Sequence, residues 1–180
     1  MIRTKTLVFL LAALGIVLST HSAAYPAESI FEKALHLRET HRQLREIRRQ
    51  YLLTARSAKL REDLRVMSVI TGMEKAEAYL HDLEQVVITF GYVKDTCKGN
   101  YYMYRIKTLP DSSQYLEEQM KLIERGFEIS EAQELVPLIN GARVLIEGSK
   151  KVCEEALTLL EERTLKYKYL NNDETCYASW

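Results

Sequence analysis

Only 7 Gly and 3 Pro occur in 180 residues, which leaves few places for the tight turns that a β-sandwich or barrel requires. Excess charge of either sign is missing too: 25 basic and 25 acidic side chains cancel. The strong basic surplus of a dedicated nucleic-acid binder is therefore lacking, and no direct nucleic-acid contact is expected. With 47% hydrophobic residues, the composition also excludes a disordered chain. The sequence has no GxSxG, HExxH, P-loop or GxGxxG motif, and no CxxC or CxxCH. The Glu-x-x-His pair of helical di-metal proteins is likewise missing. No catalytic residue, metal ligand or cofactor is assigned from the sequence, and the chain is read as a non-enzyme.

What is there begins with a targeting signal. Arg3 and Lys5 form a basic start, Leu7 to Leu18 is an uncharged apolar run, and Ser22-Ala23-Ala24 supplies small residues before a cut. The run is about a dozen residues, against roughly 20 needed to span a bilayer. Residues 1–24 are therefore read as a cleaved signal peptide, 25–170 as a helical domain and 171–180 as a tail, giving an exported chain, periplasmic or secreted, without a transmembrane segment. All three cysteines, Cys97, Cys153 and Cys176, lie in the exported part, where disulfides persist. Cys153 falls at helical spacing among Ile146, Leu157 and Leu160, as a buried thiol would. The remaining pair, Cys97 and Cys176, is the expected staple between a mid-chain loop and the tail.

From Ser29 to about Ser57 good helix formers run without Gly or Pro. Ile30, Ala34, Leu37, Leu44, Ile47, Tyr51, Ala55 and Ala58 make one apolar stripe at three- and four-residue steps. Val66, Val69, Met73, Ala76, Leu80, Leu83, Val87 and Phe90 repeat the pattern as a seam able to pair along another helix, within the chain or in self-association. Gly72 marks a candidate break near Ser68 to Gly72. Without a break, residues 28–91 would form a helix of roughly 95 Å at about 1.5 Å per residue. Pro110-Asp111-Ser112 signals a helix start, followed by the apolar face of Leu116, Met120, Ile123 and Phe127. Pro137 and Gly141 are read as dividing the next stretch, so that the last helix runs from about Ala142 to Tyr167. Two Tyr-rich segments, Tyr101 to Lys107 and Leu165 to Leu170, read as helix ends with tyrosines packed on the bundle, or alternatively as a short two-stranded ribbon. The fold class is all-α: an elongated bundle of four to five helices, with a long helical hairpin as a variant.

Two features bear on chemistry. Glu32 with His36, and Glu77 with His81, stand four apart and share helix faces, while His41 lies between Leu37 and Leu44 as a boundary histidine. The adjacent carboxylates Glu117-Glu118, Glu154-Glu155 and Glu161-Glu162 point about 100° apart on a helix and form no dyad. The charge is uneven as well. Residues 28–65 carry 10 basic and 6 acidic groups, whereas 111–163 carry 6 and 12. The two regions either pack on each other, or an Arg-rich face of Arg38, Arg42, Arg45 and Arg49, with Arg48 beside it, docks an acidic partner or anionic lipid.

In Glu131 to Leu160, the residues Glu134-Leu135, Gly141, Leu145-Ile146-Glu147, Ser149 and Glu155 resemble a helical stretch of small exported proteins from conjugative-transposon transfer machinery of the Bacteroidetes type. The chain departs from that family at Ala142, where an aromatic residue is usual, and in its non-basic C-terminus. The resemblance implies a periplasmic part of a DNA-transfer or secretion apparatus and assigns no residue roles. The expected function is thus that of an exported helical interaction protein. A periplasmic holdase chaperone with a helical clamp, a bundle binding a small ligand or metal, and a secreted effector are the alternatives.

Overall fold

The computed structural model describes residues 30–60, 62–92, 105–129 and 133–170, with side chains to 89 and 162 in the second and fourth long helices. Residues 1–29, Cys97, Tyr101 to Tyr104 and Cys176 lie outside them, so the signal peptide and the Cys97–Cys176 staple fall outside the described residues. Four helices carry the fold: α1 (Ile30–Ser57), α2 (Leu64–Tyr92), α3 (Ser112–Glu124) and α4 (Val136–Leu170). Residues 105–108 form a single helical turn, and no strand occurs among the described residues. The all-α bundle expected from the sequence is the observed fold.

Contacts across the helix pairs fix the topology. Arg38 meets Glu84 and Arg45 meets Glu77, so α1 and α2 run antiparallel. Tyr79 stacks on Tyr115, while Gly72 lies against Gln119 and Ile123, which sets α3 antiparallel to α2. Lys33 pairs with Glu155 while Ile47 lies against Gly141, and Arg143 pairs with Glu124 while Ile139 lies against Gly126 just past α3, which sets α4 antiparallel to both α1 and α3. The result is an up-down-up-down four-helix bundle.

The chain reverses direction between the end of α1 at Ser57 and the start of α2 at Leu64, not near Gly72. Lys59 adopts a left-handed φ of 58°. The Leu60 amide donates to the Ala55 carbonyl at 2.9 Å and the Lys59 amide to the Arg56 carbonyl at 3.1 Å. Those two bonds make a Schellman cap, normally built on glycine. Asp63 then caps α2, its carboxylate accepting from the Arg65 amide at 2.8 Å. Bonds from Arg65 hold the Asp63 carboxyl down at about 2. Composition hid this stop because the left-handed position is filled by Lys. Lys59→Gly is expected to stabilise the protein by about 0.5–1 kcal/mol, since a left-handed non-glycine residue costs about 1 kcal/mol and the looser unfolded chain returns part of the gain. The check is a higher urea midpoint at unchanged slope.

Gly72 instead sits inside unbroken α2, where α3 comes close. A Cβ there would stand 2.8 Å from the Gln119 carbonyl oxygen and 2.9 Å from Cγ1 of Ile123. Its lack of a side chain serves packing between two helices, not a bend. Pro137 and Gly141 do not divide the last helix either. Pro137 falls in the first turn of α4, where the amide it lacks would have had no intrahelical acceptor. The late Tyr-rich segment is helical, as part of α4.

The α2 seam is spent in the interior. Val66, Val69, Met73, Ala76, Leu80, Leu83 and Val87 are all buried against the other helices, together with Leu37, Leu44, Leu116, Ile123, Ile139, Ile146 and Leu160. In this fold the seam packs against the chain's own helices. Phe127 leaves the expected apolar face, because α3 ends in a tighter 3-10 turn (Arg125–Glu128) that turns it outward beside the Arg143 guanidinium. Cys153 is a buried free thiol, as expected, and burial pushes it up to about 12. Tyr51 is fully buried, its hydroxyl has no partner among the described residues, and burial, with the nearby Asp63 charge, pushes its phenol up to about 12.

Candidate functional site

Helix α1 presents two chemically distinct faces, and both follow from the hairpin. The reversal after Ser57 lays α1 along α2 in antiparallel register, so basic residues of α1 at three- and four-residue steps meet acidic residues of α2 that stand two turns apart. The two acidic residues are Glu77 and Glu84. They follow directly on the buried Ala76 and Leu83, so they flank the core seam and are themselves buried. An ionised carboxylate at such a place is tolerated only when it is paired.

Glu84 is the better enclosed, with its side chain 2% exposed. Arg38 Nε donates to its Oε1 at 2.7 Å, and His41 Nε2 lies 2.8 Å from its Oε2. His81, one turn earlier on α2, places Nδ1 3.6 Å from the same Oε2. Burial pushes the Glu84 carboxyl up, but the hydrogen bonds and charges of Arg38 and His41 outweigh it and hold the group below the ordinary glutamate range. The His41 and His81 rings meet edge to face with centroids 5.1 Å apart. Glu77 takes a different pair: Arg45 Nε donates to Oε1 at 2.6 Å and Arg48 Nη2 lies 3.0 Å from Oε2. A third tie joins α1 to α4, where the buried Lys33 ammonium meets Glu155 and holds that carboxyl low.

The outward face of α1 is a separate stripe. Phe31, Leu35, Arg38, Arg42, Arg45, Arg49 and Leu53 follow one another at steps of three or four, and every one of them is exposed. Apolar side chains thus stand at both ends of an arginine row. Within the row the arginines differ in their commitments. Arg38 and Arg45 each spend Nε on a buried carboxylate and keep a half-exposed side chain. Arg49 reaches only the exposed Glu46, at 3.9 Å. Arg42 has no hydrogen bond or ion pair to any described residue. The basic region thus packs on acidic residues of α2 as well as offering an outer face. Of the acidic 111–163 region, only Glu155 among the described residues receives a charge from α1.

Glu77 and His81, four apart in sequence, do not act together, because Glu77 turns to Arg45 and Arg48. Glu32 and His36 are both exposed on α1. The grouping that does form, His41 with His81 and Glu84, crosses between helices. Its signal in the sequence was the His81-x-x-Glu84 spacing, the reverse of the order sought, plus a histidine on the apolar stripe of the preceding helix. No helix among the described residues is long and apolar enough to cross a membrane. No family model, characterised protein or solved structure matches this chain.

Proposed function

We propose that this protein is an exported, non-enzymatic interaction protein of the bacterial envelope, and that the outer stripe of α1 is its docking surface. The observation that carries this reading is the seven-residue exposed row from Phe31 to Leu53, with apolar ends and an arginine centre. A solvated face has no need of three large apolar side chains in register with four arginines. An acidic amphipathic helix is the matching ligand: its own apolar positions, at the same three- and four-residue spacing, meet Phe31, Leu35 and Leu53, and its carboxylates meet the guanidinium groups. The signal-like start supports export. The resemblance around Gly141 supports a subunit of a conjugative transfer or secretion apparatus as the specific setting.

The test places a photo-crosslinking amino acid at Leu35 or Leu53 in the producing cell. A discrete protein adduct is expected, and Arg42→Glu combined with Arg49→Glu is expected to abolish it while leaving the thermal midpoint unchanged. Those two arginines are chosen because neither holds a buried carboxylate. An adduct that survives the double charge reversal, or no adduct at all, overturns the reading. A broad smear of clients in place of a discrete adduct would instead identify a holdase chaperone.

A further inference from the structure

The stripe leaves unexplained why two histidines converge on one buried carboxylate at the stripe's inner edge, where α1 meets α2. We propose that His41, His81 and Glu84 form a binding site for a divalent transition-metal ion of the zinc type, which would cross-link α1 to α2. This proposal is independent of the docking reading.

Geometry is the first support. One donor atom from each residue lies within 4.8 Å of the other two. Two of the separations are 2.8 Å, from His41 Nε2 to Glu84 Oε2, and 3.6 Å, from His81 Nδ1 to the same oxygen. Three ligands around zinc, at bond lengths of about 2.0–2.2 Å and tetrahedral angles, stand about 3.3–3.6 Å apart. The 3.6 Å separation already matches, and the 2.8 Å one falls short by less than about 1 Å. Donor chemistry is the second. Two imidazole nitrogens with one carboxylate oxygen suit zinc and its neighbours, whereas calcium and magnesium call for an all-oxygen shell.

The unsatisfied state of His41 is the third. Its side chain is only 7% exposed, yet Nδ1 has no hydrogen-bond partner among the described residues. Among the described residues the ring has one hydrogen-bonding contact, to Glu84 through Nε2, and it meets His81 edge to face. Arg38 meanwhile occupies the other oxygen of Glu84. That bond orients Oε2 toward the histidines, as outer-sphere partners of metal ligands commonly do. The guanidinium charge is half exposed and so is screened by solvent, which limits its repulsion of the cation. His81 is 47% exposed, so the fourth coordination position opens on its side and takes water.

Calorimetric titration of the untagged full chain with Zn2+ tests this, with His81→Ala and His36→Ala alongside. His81 is the variant of choice because its half-exposed ring is not part of the core. Wild type and His36→Ala are expected to bind one equivalent that His81→Ala loses, or binds about 100-fold more weakly or worse, a ligand's loss costing at least as much as that of an outer-sphere partner. Titration with Mg2+ is expected to give no such equivalent. Co2+ in place of Zn2+ is expected to give the intense visible absorption of a tetrahedral site, absent in His81→Ala. Failure of the wild type to bind Zn2+, or equal binding by His81→Ala, overturns the proposal.

Discussion

Replacing Glu84 by Ala is expected to destabilise the metal-free protein by about 3 kcal/mol at neutral pH. Breaking a buried, hydrogen-bonded charge pair costs about 3–5 kcal/mol, and the low end applies because Arg38 is half exposed and returns to water. His41 cannot do so, and it is left buried without its partner. Urea unfolding in the presence of a chelator measures the loss, and a value below about 1 kcal/mol would mean that the network merely occupies space. The same carboxylate carries an acid signature. Its value in the folded protein lies below the ordinary glutamate value of about 4.3. The pairing therefore contributes its full stability above that value and loses it as the pH falls through the lower, folded-state value. Glu84→Gln has no such proton to take up, so its stability is expected to fall less steeply than that of the wild type below about pH 4.3. Glu155, also held low by Lys33, contributes in the same direction and remains in both proteins.

A comparably large effect is expected at Gly72. Gly72→Leu forces a side chain into the contact between α2 and α3, where even a Cβ would press on the backbone oxygen of Gln119 and on Ile123. Overpacking costs about 1–3 kcal/mol when side chains alone can yield. Here backbone must move, so about 3 kcal/mol is expected, a fall of roughly 10 °C in thermal midpoint for a chain of this size. Gly72→Ala separates two opposing effects. Helix propensity favours Ala by about 1 kcal/mol, whereas the clash costs about 2 kcal/mol. Packing wins, and a net loss of about 1 kcal/mol is expected by differential scanning calorimetry. A stabilised Gly72→Ala would show that α3 moves away freely at this point.

These two sites also show how much could be read before any coordinates. The α2 seam was plain in the sequence because buried positions at three- and four-residue steps leave a periodic trace, and the same holds for Leu37, Leu44 and Tyr51 on α1. The Asp111 cap was legible because its chemistry is local: its carboxylate accepts from the amide of Gln114, three residues on. Gly72 was misread because a glycine that admits a neighbouring helix looks, in one dimension, like a glycine that ends its own. The true stop at Lys59 was hidden for the converse reason, since a left-handed residue without glycine leaves no compositional mark. The arginine row was visible as a periodic charge pattern, but its division into inner and outer commitments was not. That division depends on Glu77 and Glu84, residues of another helix whose burial follows only from the register of the hairpin. The histidine cluster leaves only a partial mark, the His81-x-x-Glu84 spacing, because its third member, His41, comes from α1, 40 residues before His81.

Half of the arginine row belongs to two constituencies at once, and this shapes how the protein can diversify. Arg42 and Arg49 answer only to what lies outside, so a lineage that changes partners can recolour those two positions at no risk to folding. Arg38 and Arg45 are bound by their Nε atoms to Glu84 and Glu77, and a substitution there must be matched on α2. Descendants that change partner should therefore vary at 42 and 49 without regard to α2, while changes at 38 are coupled to 84 and changes at 45, more loosely because Arg48 also holds Glu77, to 77. Where both members of such a couple are lost together, the binding repertoire of the row will have been rewritten along with the joint between the two helices.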